Sequence, residues 1–551
     1  MTRIPMLAVA LSLAFTACAL AQTAEINASN IAKTIQTISS DAYEGRGPAT
    51  RAEKKTTEYI AAQFAAAGLQ PAGPNGSWLQ PVPLARFEIN GPVKMSFTLA
   101  GTAKNLTQGE EAVVQTLMPV NRVAIANAPL VFVGYGVKAN ECGWDDFKGV
   151  DLKGKIAVVL VNDPDFESPL ALKSDGCFGG LAMTYYGRWT YKYEEAARQG
   201  ALGMLIVHET APAAYGWATV RNSNSNAQFD IVREDAGKAH PLVQGWIQRD
   251  MAIALFKAAG LEFEAQKRAA QSRDFQPVVL KNTTFSADYA VQASQIVSAN
   301  VAGRVVGQLR PNETVIYSAH WDHLGIGAPD AKGDRIFNGA LDNATGVAAL
   351  IEMARVYAKA PPPGRSVLFL AVTAEEKGLL GSAYYAAHPL FPLATTVADI
   401  NMDGFKADGR SHDLSTSGSG KTNLEDNVKA LLTGSGRYFT VDPEPEKGHF
   451  YRSDHFSFAR VGVPAISVES GTDLLKGGTE AGIVWREEYV KNRYHQPADE
   501  WDAKWDLSGV VEDVGLLYTL GWRLANSKAW PAWNPDTEFK TLRDQSVNER
   551  R

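Results

Sequence analysis

Val367-Leu368-Phe369-Leu370-Ala371-Val372, running into Thr373-Ala374-Glu375-Glu376, is a short run apolar at every position that ends on two adjacent carboxylates. A run of this length, bounded by polar residues, reads as a strand buried on both faces. Upstream, Thr345 to Ala358 carries its apolar residues at helical spacing, and Ala360-Pro361-Pro362-Pro363-Gly364 stops that helix. Thr314 to Ser318 is a β-branched run, and Thr396 to Asn401 reads as another strand. Strand and helix alternate in this way from about Val291 onward. That alternation specifies an α/β fold: a three-layer sandwich whose central sheet is mixed and mostly parallel, with helices on both faces.

In such a sheet the strand ends gather the active site. Here they carry His320-Trp321-Asp322, Leu341-Asp342-Asn343, Glu375-Glu376, Met402-Asp403-Gly404 and, later, Tyr494-His495. Imidazoles and carboxylates together are the ligand set that a pair of divalent metals needs to activate water. His320 and Asp322 are two apart at a strand end, so Asp322 could hold the ring of His320 by its second nitrogen. Asp342 precedes a helix and alone would read as an N-cap, although Asn343 or Thr345 could serve that end and leave Asp342 to bridge two metals. Glu375 and Glu376 repel each other unless a cation is near; with one present, one binds it and the other serves as general base. Each residue is ambiguous alone, and the weight comes from their co-occurrence at strand ends.

The remainder of the chain frames this site. With 551 residues, 45% of them hydrophobic and 21% charged, the chain is long enough for two folded domains. The net charge of -6 comes without a long basic run, so no nucleic acid is expected as partner. Residues 1–21 read as a signal peptide: Arg3, an apolar stretch from Met6 to Phe15 too short to span a bilayer, and a small-x-small site at Ala19-Leu20-Ala21. The protein is accordingly expected in the periplasm or secreted, with a lipoprotein anchored through Cys18 as the alternative. Export permits a disulfide between the remaining Cys142 and Cys177, against two independent thiols. From Ile26 to Leu69 the pattern is helical, with Ile31, Ile35 and Ile38 on one face. From about Phe87 to Val291 the texture changes to short strands and turns, an inserted and mostly β segment with its own core.

The ordered set Ala319-His320-Trp321-Asp322-His323-Leu324-Gly325, Gly339-Ala340-Leu341-Asp342-Asn343-Ala344-Thr345-Gly346, Thr373-Ala374-Glu375-Glu376-Lys377-Gly378-Leu379-Leu380-Gly381-Ser382, Asn401-Met402-Asp403 and Tyr494-His495 resembles the M28 family of dizinc aminopeptidases. The leader Ile38-Ser39-Ser40-Asp41-Ala42-Tyr43-Glu44-Gly45-Arg46-Gly47 is similar to that of the same family, and Val131 to Val207 resembles its protease-associated (PA) insertion. The resemblance implies a peptidase domain over 22–114 and 286–551, interrupted by a PA domain at 115–285. It implies two zinc ions, one on His320 and Asp403, the other on Glu376 and His495, bridged by Asp342. It further implies Glu375 as general base, Asp322 as the partner of His320, Tyr494 as the hydroxyl that steadies the oxyanion, and Arg452 facing the substrate. The implied activity is removal of N-terminal residues from peptides. A carboxypeptidase or dipeptidase on the same scaffold is the rival, with Arg452 as a candidate clamp for the substrate carboxylate.

Overall fold

The computed structural model describes residues 25–167, 177–224 and 226–550; the expected signal peptide and Cys18 lie outside them. The chain begins with α1 (Ala28–Ile38) and α2 (Arg51–Ala67). Ile31, Ile35 and Ile38 are buried, as their spacing requires. Asn27 caps α1 by accepting from the N–H groups of Ser29 and Asn30, and Gly68 closes α2 with a left-handed φ of 94°. Then come β1 (Leu79–Leu99), β2 (Ala112–Gln115), β3 (Arg122–Phe132) and β4 (Ile156–Leu160). They are followed by α3 (Trp189–Arg198), β5 (Gly203–His208), α4 (Trp217–Ser223), β6 (Val243–Gln248), α5 (Arg249–Ala258) and β7 (Val278–Val305). The second half contains β8 (Arg310–His320), α6 (Thr345–Lys359), β9 (Arg365–Val372), β10 (Thr396–Asn401), β11 (Asp413–Thr416), β12 (Ala465–Ser470), α7 (Gly478–Asn492) and α8 (Ser508–Asn526).

The strands join in the order β11-β12-β10-β8-β9-β7-β3-β4-β5-β6-β2. β9, β8, β10 and β12 are parallel, with His320 beside Val372 and Ser318 beside Asn401. Their C-terminal ends are therefore level, and the expected site residues leave from that one edge. Alternation along the strands separates the two covering layers. Val315, Tyr317 and Ala319 of β8 and Val367, Phe369 and Ala371 of β9 pack against α1, α2, α6 and α8, whereas Ile316, Leu368, Leu370 and Val372 meet Phe456 and Phe458 on the other face. This is the expected mixed, mostly parallel sheet covered by helices on both sides.

Tyr317 lies so close to α8 that its hydroxyl donates to the Leu517 carbonyl at 2.9 Å, and a Cβ at Gly521 would stand 1.9 Å from that oxygen. Gly521→Ala is expected to cost about 1 to 3 kcal/mol by overpacking, measured as a lower denaturation midpoint. An unchanged midpoint would show that α8 shifts freely.

The segment 115–285 departs from the separate, mostly β module expected. It has apolar clusters of its own, Phe132, Val158, Leu205 and Phe256 on one face and Val131, Val159, Met204 and Ile206 on the other. Yet β3, β4, β5 and β6 run parallel, and α3 and α5 lie beside them. Parallel neighbours need long crossovers, and α3 lies in the one between β4 and β5. Nor is its sheet separate: β7 is 28 residues long and pairs with β9 through Val301–Val305 and with β3 through positions from Val278 to Ala290.

Cys142 and Cys177 are bonded, which settles the choice between a bridge and two thiols. Closing a loop of 35 positions is worth about 3 to 4 kcal/mol in chain-entropy terms. Reduction, or Cys142→Ser, is expected to lower the unfolding free energy of this segment by that order; an unchanged denaturant midpoint would contradict it. Among the described residues no helix is long and apolar enough to cross a membrane.

Candidate metal centre

The loops leaving the C-terminal edge are fastened by Arg46, which is fully buried. Its guanidinium donates to the carbonyls of Trp321 (2.9 Å), Ile38 (3.0 Å), Asn338 (2.6 Å), Gly339 (2.8 Å) and Asp342 (3.4 Å). The loop bearing Asp342 is held from the other side by Asp499, whose carboxylate accepts the N–H groups of Leu341 and Asp342 at 3.1 Å. Asn343 takes the capping role: its Oδ1 accepts from Gly346 at 2.9 Å and from Gly404 at 3.1 Å. Asp342 is thereby left to face the site.

Its two oxygens point to different imidazoles. Oδ1 lies 3.3 Å from His320 Nε2, and Oδ2 lies 3.3 Å from His495 Nε2. On the first side His320 Nε2 is also 3.1 Å from Asp403 Oδ1 and 4.0 Å from Glu375 Oε2. On the second, His495 Nε2 is 3.1 Å from Glu376 Oε2. All five expected ligands and the expected base are thus brought into one pocket.

The electrostatics follow from crowding carboxylates where water is scarce. Burial, joined by Asp403 and Glu376, outweighs the pull of His320 and holds the Glu375 carboxyl well above its usual range. Burial disfavours the charged form of His495, but Glu376 and Asp342 overcome it and raise the ring to about 9. For Asp342 burial is likewise overcome, here by hydrogen bonds from His320 and His495, and the carboxyl is held well below its usual range. Such a field calls for positive charge between the side chains.

Three residues that sequence reasoning left without a role complete the arrangement. His323 is fully buried, with Nδ1 2.6 Å from Glu376 Oε1 and 4.0 Å from Asp342 Oδ2. Despite that proximity, neither ring nitrogen of His323 nor Glu376 Oε1 is aligned for a hydrogen bond. Ser223 Oγ, at the end of α4, lies 2.8 Å from His495 Nδ1, and Asn222 Nδ2 donates to the His495 carbonyl at 2.9 Å. His323 stood inside the quoted motif; Ser223 and Asn222 come from the inserted segment, more than 250 positions away, and no local pattern marks them.

Asp322 departs from its expected contact. The Nδ1 of His320 meets the main-chain carbonyl of Asp322 at 3.1 Å, while the carboxylate stays 3.8 Å away and accepts the N–H of Glu375 at 3.0 Å. β8 ends at His320, so strand alternation no longer governs the position two residues on. Asp322 therefore positions both residues, His320 by its backbone and Glu375 by its side chain. The Tyr494 ring lies against that of His495, tilted by 31° with centroids 3.9 Å apart, and its hydroxyl accepts from Arg452 Nη2 at 3.2 Å.

The donor set fits divalent metal ions. Ligand atoms of His320, Asp342 and Asp403 form one group lying within 4.8 Å of one another, and those of His323, Asp342 and Glu376 form a second. All are imidazole nitrogens and carboxylate oxygens, the atoms zinc takes. In the second group the His323 nitrogens and Glu376 Oε1 are buried and close to one another without a hydrogen bond, as the ligands of an ion are.

Comparison with known proteins agrees with this architecture. The aminopeptidase from Aneurinibacillus sp. strain AM-1 superposes with a TM-score of 0.55 at 21% identity, covering 92% of this chain and 95% of that one, and so shares its fold. Among curated proteins, "Aminopeptidase NAALADL1" of Rattus norvegicus is 27% identical over 361 residues, covering 57% of this chain and 43% of that protein. A "Probable zinc metalloprotease" of Pyricularia oryzae is 35% identical over 88 residues, 16% of this chain and 17% of that protein. The chain thus spans less than half the length of either curated relative. The family model for "Peptidase family M28" matches residues 300–519, the stretch that contains every expected metal ligand. Over those residues the chain is similar to peptidase family M28.

Proposed function

We propose that this protein is a zinc-dependent exopeptidase that removes N-terminal residues from peptides, using two zinc ions and Glu375 as general base. The observation that carries this reading is the division of Asp342 between His320 and His495 at equal distances of 3.3 Å. His320 and Asp403 would hold one ion, Glu376 and His495 the other, and Asp342 both. When bound, the two ions lower the pKa of a water between them and polarise the scissile carbonyl.

The chain's own residues supply the rest. Glu375 Oε2, 4.0 Å from His320 Nε2, stands where it can take the proton of that water and pass it to the leaving amine. The Asp322 carboxylate fixes the Glu375 backbone. Tyr494 is kept protonated, because burial raises its hydroxyl far above the usual range against the pull of Arg452, so it can donate to an oxyanion.

A panel of free and N-acetylated peptides tests this together with metal analysis. Cleavage of the free peptides alone, with loss of turnover on chelation and recovery with zinc, is the expected result. Cleavage of acetylated peptides from the C-terminus would replace it with the carboxypeptidase reading.

His323 should also bear on metal retention. Its contact with Glu376 Oε1 leaves Oε2 facing His495, and removing such a neighbour of a metal ligand typically weakens binding about 10- to 100-fold. His323→Phe is expected to release zinc to a chelator at correspondingly lower concentration; unchanged competition would remove His323 from the centre.

A further inference from the structure

α4 ends on Asn222-Ser223, and its sides face different parts of the molecule. Val220 is buried with Val113 of β2, Ile206 of β5 and Trp246 of β6, and the Trp217 ring, three positions earlier, lies against His208 with centroids 5.5 Å apart. The helix is therefore carried by the core of the inserted segment. Its last turn reaches across to the metal centre. Asn222 Nδ2 donates to the His495 carbonyl at 2.9 Å, Ser223 Oγ lies 2.8 Å from His495 Nδ1, and the Ser223 carbonyl accepts from Lys377 Nζ at 3.2 Å. Lys377 follows Glu376 in the chain. Both residues assigned to the second ion are thus tied to this turn, His495 directly and Glu376 through its neighbour.

His495 depends on such a hold. Its φ is 55°, a left-handed backbone that a residue with a side chain keeps only where its surroundings fix it. Its Nε2 faces Glu376 and Asp342, so Nε2 is the nitrogen for the ion, and Nδ1 carries the proton and donates it to Ser223 Oγ. That bond sets the tautomer and the direction of the ring. The other side of the centre is held from within the second half of the chain. His320 Nδ1 meets the Asp322 carbonyl at 3.1 Å, the Met402 N–H donates to the Ser318 carbonyl at 2.9 Å, and the Gly404 N–H donates to Asn343 Oδ1 at 3.1 Å. His320 and both neighbours of Asp403 are fixed in this way without the inserted segment.

We propose that Asn222 and Ser223 are positioning residues that make the inserted segment part of the metal centre: the ion on Glu376 and His495 is retained only while α4 is docked, and the ion on His320 and Asp403 is retained without it. The proposal rests on the two-ion reading above. Displacing α4 removes the partners of the His495 ring and carbonyl together, and the residue can then relax from its left-handed backbone and turn Nε2 away from Asp342. Asp342 itself, fastened by Arg46 and Asp499, stays with His320.

The test titrates the zinc-loaded full-length protein with a chelator and counts the ions released. Wild type should hold two per chain. Ser223→Ala is expected to release one of them at about 10- to 100-fold lower chelator concentration, the usual effect of removing the partner of a metal-bound imidazole, and the other at the wild-type concentration. Asn222→Ala should act in the same direction. Ser223→Thr, which keeps a hydroxyl, should restore wild-type release, and crystals of Ser223→Ala should lose occupancy at the Glu376–His495 position alone. A serine that only supported the fold would weaken both ions together. Release of both ions at the lower concentration, or no change in either, would overturn the proposal and leave the two-ion reading intact; a wild type that binds one ion would overturn the two-ion reading itself.

Discussion

Glu375→Gln is expected to leave the zinc content unchanged and to lower kcat by about 10²- to 10⁴-fold, the usual contribution of a positioned general base. The amide keeps the shape of the side chain and the backbone N–H that Asp322 holds at 3.0 Å, but it has no site for a proton. Glu375 is the carboxylate of the pair that does not contact His495; that contact belongs to Glu376. Glu376→Gln should therefore behave differently, losing metal as well as turnover. Should Glu375→Gln lose zinc while Glu376→Gln retains it, the two roles are exchanged.

The second large effect is expected at Arg46, far from any proton transfer. Its guanidinium is the common donor to carbonyls of the leader, of the turn after β8 and of the loop bearing Asp342. Burial lowers its pKa to about 10, offset in part by Asp342 and Asp499, so it stays charged at neutral pH. Arg46→Met keeps much of the volume but leaves four or more buried carbonyls without a donor. Each unsatisfied group costs about 1 to 3 kcal/mol, and partial relaxation brings the expected total to roughly 3 to 5 kcal/mol, the range for breaking a buried charged network. Zinc affinity should fall with it, because Asp342 loses its fixed loop. A loss below about 1 kcal/mol in denaturant unfolding would show that the loops are held by other means.

The α/β alternation and the strand-end residues were legible because both are local: an apolar run such as Val367–Val372 announces a buried strand, and the acids at its end stand out against it. His320, Asp342, Asp403 and the Glu375-Glu376 pair stood out that way, whereas Glu376 and the loop residue His495 were singled out as ligands by the family resemblance; all of them converge. What was illegible comes from contacts across the chain. Ser223 and Asn222 sit in a segment whose position beside His495 depends on β7 being shared by two parts of the sheet, which no window of sequence displays. Asp322 was read by strand alternation, and the strand ends two residues too soon for that rule. His323 was overlooked because it lies past the strand end, where the chain turns and parity no longer tells which way a ring points. The segment 115–285 was read as mostly β because its short strands, apolar on both faces, dominate the pattern; that they run parallel with helices between them follows from pairings across the chain.

The central claim is that two divalent ions sit on either side of Asp342. Anomalous scattering at the zinc edge from crystals of the zinc-loaded protein tests it most directly. The account expects two peaks per chain, one contacted by His320 and Asp403, the other by Glu376 and His495, with one oxygen of Asp342 on each. A single peak, or peaks away from Asp342, would contradict it.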